Sequence, residues 1–241
     1  MLRAFQRQVS GICVSGRRVP LQSTKLKTTI HSGMSNRILD FEAGPLVWID
    51  CEMTGLDHRK DKILEIAVLI TDGKLELLDP GVEYVIQTDK ESLDKMDTWC
   101  TRQHGTSGLT QACLDSPHTL SYVSQKVLEY VKERIPSPRV GVLAGNSVHV
   151  DRLFLLQQMP ELVDWLHYRI VDVSSVKELC RRWYPELHPP RAISVKTSHR
   201  ALDDIRGSIK ELEWYRENVF SAPKTAADVP RNRSEELSRG Q

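Results

Sequence analysis

Short apolar runs of strand length recur along this chain, and past residue 119 they alternate with segments of helical spacing. Pro45–Ile49 is one such run, Lys62–Asp72 a second, and Leu75–Gln87 a third, interrupted at Pro80-Gly81. From Thr119 to Ile135 the apolar residues Leu120, Val123, Val127, Leu128, Val131 and Ile135 fall on one helical stripe, which Pro136 and Pro138 stop. Val140–Ala144 predicts a strand, Val150–Met159 a helix ended by Pro160, and Tyr168–Val173 another strand. Ser174 opens a helix that runs to about Trp183. Ser198–Val219 predicts a long helix, with Leu202, Ile205, Ile209, Leu212 and Tyr215 on one stripe and Ser198 as N-cap. Three strands followed by helix, strand, helix, strand, helix, helix specify an α/β fold, a mixed sheet flanked by helices.

These signals lie within residues 45–219, which predict a single domain. With 40% hydrophobic residues, the chain of 241 can bury a sizeable core. No apolar run approaches the roughly 18 residues that a membrane-spanning helix needs. The five cysteines are odd in number and include no CxxC pair, which argues against a disulfide framework or a structural zinc site. A reducing compartment suits them. Residues 220–241 are polar and predict a disordered tail.

The net charge of +1 hides an asymmetry. Residues 1–39 carry seven Lys or Arg and no Asp or Glu; removing those seven from 33 leaves 26 basic against 32 acidic residues, a body charge of −6. A protein that holds long nucleic acid usually does so on a basic surface that displaces counterions. An acidic body suits a short nucleic acid instead, with metal ions providing the missing positive charge. The arm, residues 1–39, begins MLRAFQRQV, spaces Arg among apolar residues and lacks acids, the pattern of a mitochondrial transit peptide; a disordered basic arm is the alternative. Met34 is an alternative start that would leave the arm off and place the product in the cytoplasm or nucleus.

Asp50 and Glu52 stand two apart at the end of the first strand, so both project to one face. Neighbouring carboxylates repel unless a cation lies between them. Asp151 follows Gly145-Asn146-Ser147 at a strand-to-helix junction. Asp203 and Asp204 lie in the first turns of the last helix, with His199 four residues before the one and five before the other. Taken singly, each is as readily a turn former, a helix cap or a surface group. Together they form a complete chemical set. Hydrolysis of a phosphodiester needs hard oxygen ligands for Mg²⁺ or Mn²⁺, two such ions ~4 Å apart clamp attacking and leaving oxygens, and an imidazole with an ordinary pKa near ~6.5 can take a proton from water.

Three motifs, Asp50-Cys51-Glu52-Met53-Thr54-Gly55-Leu56, Gly145-Asn146-Ser147 through Asp151, and His199-Arg200-Ala201-Leu202-Asp203-Asp204, resemble those of the DEDDh 3′→5′ exonucleases. Within that family the similarity is closest to the oligoribonucleases, including their mitochondrial eukaryotic form. It extends over residues 45–219 and includes Met96-Asp97-Thr98-Trp99, Ser107-Gly108-Leu109, His167-Tyr168-Arg169 and Asp172-Val173-Ser174.

The resemblance implies an RNase H-like fold and a 3′→5′ exoribonuclease that degrades very short oligoribonucleotides, especially dinucleotides, to 5′-mononucleotides. It implies that Asp50, Glu52, Asp151 and Asp204 hold two divalent cations, Mg²⁺ or Mn²⁺, and that His199 is the general base. The HxAxxD spacing selects Asp204 as ligand and leaves Asp203 to a structural bond. Leu56 and Trp99 match residues that sandwich a base. Ser147, Ser174, Tyr168 and Arg169 match positions enclosing the 5′ phosphate, the last two reaching in from the second subunit of a homodimer. Cys51 stands where Leu is expected; strand alternation turns it away from the metal face, as a small core substitute. Two other readings remain open at this level: a general exonuclease of single-stranded DNA or RNA, and a non-catalytic nucleotide-binding protein.

Overall fold

The computed structural model describes residues 37–190 and 200–220. All of them belong to one compact unit, Met34–Gln241. The basic arm through Asn36, the Ser198 N-cap and the tail beyond Phe220 lie outside the described residues.

Three strands form first: β1 (Leu46–Met53), β2 (Ile63–Thr71) and β3 (Val82–Val85). Three short helices follow, α1 (Lys90–Asp94), α2 (Thr98–Ser107) and α3 (Leu109–Asp115), and then the long α4 (Leu120–Arg134). The chain continues through β4 (Val142–Gly145), α5 (Val148–Gln158), α6 (Pro160–Trp165), β5 (Ile170–Asp172), α7 (Val173–Trp183) and α8 (Ala201–Asn218). The strands make one mixed sheet in the order β3-β2-β1-β4-β5. β1 runs antiparallel to β2 and parallel to β4, and β4 runs parallel to β5. This is the α/β architecture expected from the alternating runs.

Period-two alternation in β1 divides the core between the two faces of the sheet. Val47, Ile49 and Cys51 pack with Val123, Val127 and Val131 of α4 and Phe154 and Leu155 of α5. Trp48 turns the other way, with Ala67, Leu69 and Ala144, onto Val173 and Cys180 of α7 and Ile205, Ile209 and Tyr215 of α8. Asp50 and Glu52 share the parity of Trp48 and therefore belong to the face that α8 covers.

Five elements depart from the expectation. The third strand is shorter than Leu75–Gln87: Asp72 accepts the N–H groups of Lys74 and Glu76, which closes a turn, and only the Thr71–Leu77 bridge joins β2 before β3 begins. Gly81 bends that connection at φ +85°, where a Cβ would lie 2.4 Å from Leu69 Cδ2. Helices α1, α2 and α3 are additional. Asp89 and Asp97 cap the first two, Gly108 in the left-handed region joins α2 to α3, and together they bury Leu93, Met96, Cys100, Leu109 and Cys113 against Leu64. Pro160 does end α5, and it also opens α6, as proline at a first helical position can.

Candidate metal and nucleotide site

The antiparallel register shifts between Glu52 and Met53, just past both acids of the first motif. Oxygen atoms of Asp50, Glu52 and Asp204 all lie within 4.8 Å of one another. Asp204 is 5% exposed and comes from the first turn of α8, which packs on β1 and β2 through Ile205 and Ile209. Asp151, in the first turn of α5, is not one of that triplet. Its Oδ1 accepts the backbone N–H of Cys51 at 2.9 Å, so it is tied to the residue between Asp50 and Glu52. Hard carboxylate oxygens converging in this way fit Mg²⁺ or Mn²⁺ and do not fit a soft metal. Burial first, and then the charges of Asp151, Asp50, Glu52 and Glu65, push the Cys51 thiol well above its ordinary pKa. Cys51 itself packs into the opposite face, as alternation requires.

His199 lies outside the described residues. Asp203 is exposed and pairs with Arg206 at 3.3 Å.

Leu56 and Trp99, the expected base-stacking pair, are 57% and 53% exposed, too open for core residues. Leu56 stands on a loop that Asp61 holds: Asp61 accepts from Thr54 Oγ1 and from the Asp57 N–H, both at 2.9 Å. A Cβ at Gly55 would collide with that carboxylate at 2.4 Å. Trp99 is presented by the start of α2, which Asp97 caps through Cys100 N.

Of the four expected phosphate residues, Ser147 and Ser174 come together where β4 and β5 end, whereas Tyr168 and Arg169 precede β5 and make no contact with either serine among the hydrogen bonds and ring contacts of the described residues. Ser147 sits in the left-handed region at φ 54°, and its N–H donates to Asp172 Oδ1 at 2.9 Å. The Ser174 N–H donates to the same oxygen at 2.9 Å, and the two serine hydroxyls are 3.0 Å apart. Ser174 Oγ also donates to Asn146 Oδ1, and His149 Nδ1 to Asp172 Oδ2, each at 3.0 Å. Tyr168 is 65% exposed, stacks on His167, and carries the Arg169 guanidinium 5.2 Å from its ring centre.

Two features of the site escape a reading of the sequence. His104, buried on α2, donates from Nε2 to Met53 O at 2.9 Å and ties the helix bearing Trp99 to the end of β1. Burial holds its pKa below the ordinary value, against the opposing Met53 bond. Its only sequence signal is its place five residues after Trp99 on a helix. Glu65, wholly buried in β2, is bonded by Arg200.

Residues 47–212 match the exonuclease family RNase_T. The chain is 52% identical over 178 residues to the mitochondrial oligoribonuclease of Bos taurus, covering 73% of each protein. It is 47% identical over 192 residues to that of Saccharomyces cerevisiae, covering 77% of this chain and 71% of the yeast protein. Against the oligoribonuclease of Hydrogenovibrio crunogenus the identity is 47% over 175 residues, 73% of this chain and 94% of the bacterial one. Among solved structures, exonuclease I from Methylocaldum szegediense shares the fold with TM-score 0.58 at 19% identity, over 73% of this chain and 41% of that one. Exonuclease I of E. coli in complex with a dA16 oligonucleotide gives TM-score 0.58 at 14% identity, over 72% and 41%.

Proposed function

Because the chain belongs to the exonuclease family, among its oligoribonucleases, we propose that it cuts dinucleotides and other very short RNAs to 5′-mononucleotides at the Asp50–Glu52–Asp204 cluster. The family membership makes it a metal-dependent 3′→5′ exoribonuclease of short RNAs. The single observation that carries the choice of site is the convergence of three carboxylates from β1 and α8 within 4.8 Å.

Asp50, Glu52, Asp151 and Asp204 would hold two divalent cations, Mg²⁺ or Mn²⁺. When bound, those cations supply the positive charge that steadies the attacking and leaving oxygens. His199 accepts a proton from the attacking water. The water oxygen bonds to phosphorus, the P–O3′ bond breaks, and the departing 3′ oxygen takes up a proton, so a 5′-mononucleotide leaves. Leu56 and Trp99 sandwich a base, a contact that tolerates any sequence because every base has a flat face. Ser147 and Ser174 receive the 5′ phosphate, and Tyr168 and Arg169 complete its enclosure from the second subunit of a homodimer. Arg169 suits this through its planar fork of donors. A closed phosphate site limits the length of chain accepted, which agrees with a body charge of −6 and no long basic track.

The arm of residues 1–39 directs the product to the mitochondrial matrix, in keeping with the mitochondrial naming of its relatives, and initiation at Met34 yields a form without it. Comparing the cellular distribution of the full chain with that of a chain starting at Met34 tests this.

The decisive experiment is a length series of 5′-labelled RNAs from two nucleotides upward, with Mn²⁺ or Mg²⁺ and with chelator. Fastest turnover on the dinucleotide, abolished by chelator and by Asp50→Ala, is expected. Full dinucleotide activity in Asp50→Ala overturns the site. Equal rates on two- and twenty-nucleotide RNA would favour a general single-strand exonuclease, and tight metal-dependent binding without turnover a non-catalytic protein.

A further inference from the structure

β2 reads Ile-Leu-Glu-Ile-Ala-Val-Leu-Ile-Thr and is buried at every position. Its one ionisable residue is Glu65, which pairs directly across the ladder with Glu52. Opposed residues of an antiparallel pair project to the same side, so Glu65 adds an acid beside the metal cluster, on the face that α8 covers. A buried carboxylate is costly unless it is paired and hydrogen-bonded. Arg200 meets that need: Nη2 donates to Glu65 Oε1 at 2.6 Å, and Nε lies 3.0 and 3.2 Å from the two carboxylate oxygens. Full burial still drives the Glu65 carboxyl above the usual carboxylate range, with the Arg200 bonds pulling the other way.

The same residues meet a second need. α8 starts without a side-chain cap of its own, since its N-cap is Arg200 and makes no capping bond. The orphan N–H groups of its first turn are taken by the sheet instead. Glu65 Oε2 accepts from Ala201 N, and Glu83 Oε1 of β3 accepts from Leu202 N, each at 3.4 Å. Glu83 also lies 3.7 Å from the Arg200 guanidinium. Two strands thus cap the helix from outside and fix its rotation and height. Asp204 follows within that first turn, and its own N–H bonds back to Arg200 O at 3.1 Å.

We propose that Arg200, Glu65 and Glu83 form a latch that positions Asp204 for metal binding, with Arg200 cancelling the charge of Glu65 so that the cations fall to Asp50, Glu52, Asp151 and Asp204. This inference rests on the metal centre proposed above. The three are positioning residues and act through Asp204. Outer partners of this kind typically change metal affinity by about 10–100-fold when lost.

The test is Mn²⁺ binding to the full chain without RNA, followed by the electron paramagnetic resonance of free Mn²⁺ well below the unfolding temperature. Arg200→Gln and Glu65→Gln should each weaken binding by roughly 10-fold or more, and Arg200→Lys should recover part of the loss by keeping the charge without the fork. Arg134→Gln, which breaks the Arg134–Asp79 pair on α4, is the control: it should lower the melting temperature and leave Mn²⁺ binding alone. Wild-type Mn²⁺ affinity in Arg200→Gln and Glu65→Gln reduces the latch to a stability device and overturns the proposal. Should Arg200→Gln fail to fold, Arg200→Lys and Glu83→Gln are held to the same criterion. Asp50→Ala separates the two levels. If it binds Mn²⁺ undiminished, the metal centre itself is wrong; if it loses Mn²⁺ while the latch variants keep it, only the latch is.

Discussion

The backbone N–H of Cys51 donates to Oδ1 of Asp151 at 2.9 Å, joining two motifs 100 residues apart in the chain. Asp151→Asn keeps an oxygen for that bond and loses the charge. Its activity should fall by at least ~100-fold with its unfolding midpoint in urea nearly unchanged, as expected where a charge rather than a contact is removed. Asp151→Ala should lose activity equally and also about 1–3 kcal/mol of stability, because the Cys51 N–H is left buried and unpaired. An alanine variant as stable as the wild type would deny the bond any structural role.

Trp99 stands 53% exposed at the start of α2. Trp99→Ala should raise the KM for a dinucleotide by roughly 5- to 150-fold, the equivalent of about 1–3 kcal/mol of base stacking. Stability should shift by no more than about 0.5 kcal/mol, since little packing is lost. Unchanged KM together with a large drop in melting temperature would mean that the indole serves the fold instead.

His104 makes folding sensitive to pH. Burial lowers its folded pKa, while the unfolded value is the ordinary ~6.5. Between those two values the unfolded chain binds more protons, so stability rises with pH there. The contribution is complete above about pH 6.5 and is lost as pH falls through that value toward the folded pKa, at up to ~1.4 kcal/mol per pH unit. His104→Gln keeps a donor for Met53 O and cannot take up the proton. Urea unfolding at about pH 7 and about pH 5 should show a smaller loss in that variant than in the wild type, and equal losses would assign the effect to another group.

Shared sites can be detected by mixing. If Arg169 completes the partner's phosphate site, Asp50→Ala and Arg169→Ala homodimers are both inactive on dinucleotides. Their mixture, unfolded and refolded together, should recover about a quarter of wild-type activity, because heterodimers of a two-fold assembly hold one intact site. No recovery, in mixtures shown by mass to contain heterodimers, would place Arg169 in its own subunit's site.

How much of this was legible in the sequence depends on the distance over which each signal acts. β1 announces itself through Val47–Ile49 followed by two acids of one parity, and α4 through Val123, Val127 and Val131 at helical spacing. The three carboxylates that meet were identifiable because each motif is local, even though the meeting is not. Helices α1, α2 and α3 were not. They are short, and their signals were the caps Asp89 and Asp97 and the joint at Gly108 rather than an apolar stripe. Glu65 was not legible either, since a single acid within an apolar strand carries no signal of its role. Its partner Arg200 stands 135 residues away, and nothing local to either names the other.

The placement of α8 at the end of the domain, carrying Asp204 back to β1, gives the enzyme an order of events during its synthesis. Every element of the sheet can pair before residue 201 leaves the ribosome, yet the carboxylate triplet cannot close until that last helix has docked. The carboxylate triplet is therefore the last part of the domain to assemble as the chain is made.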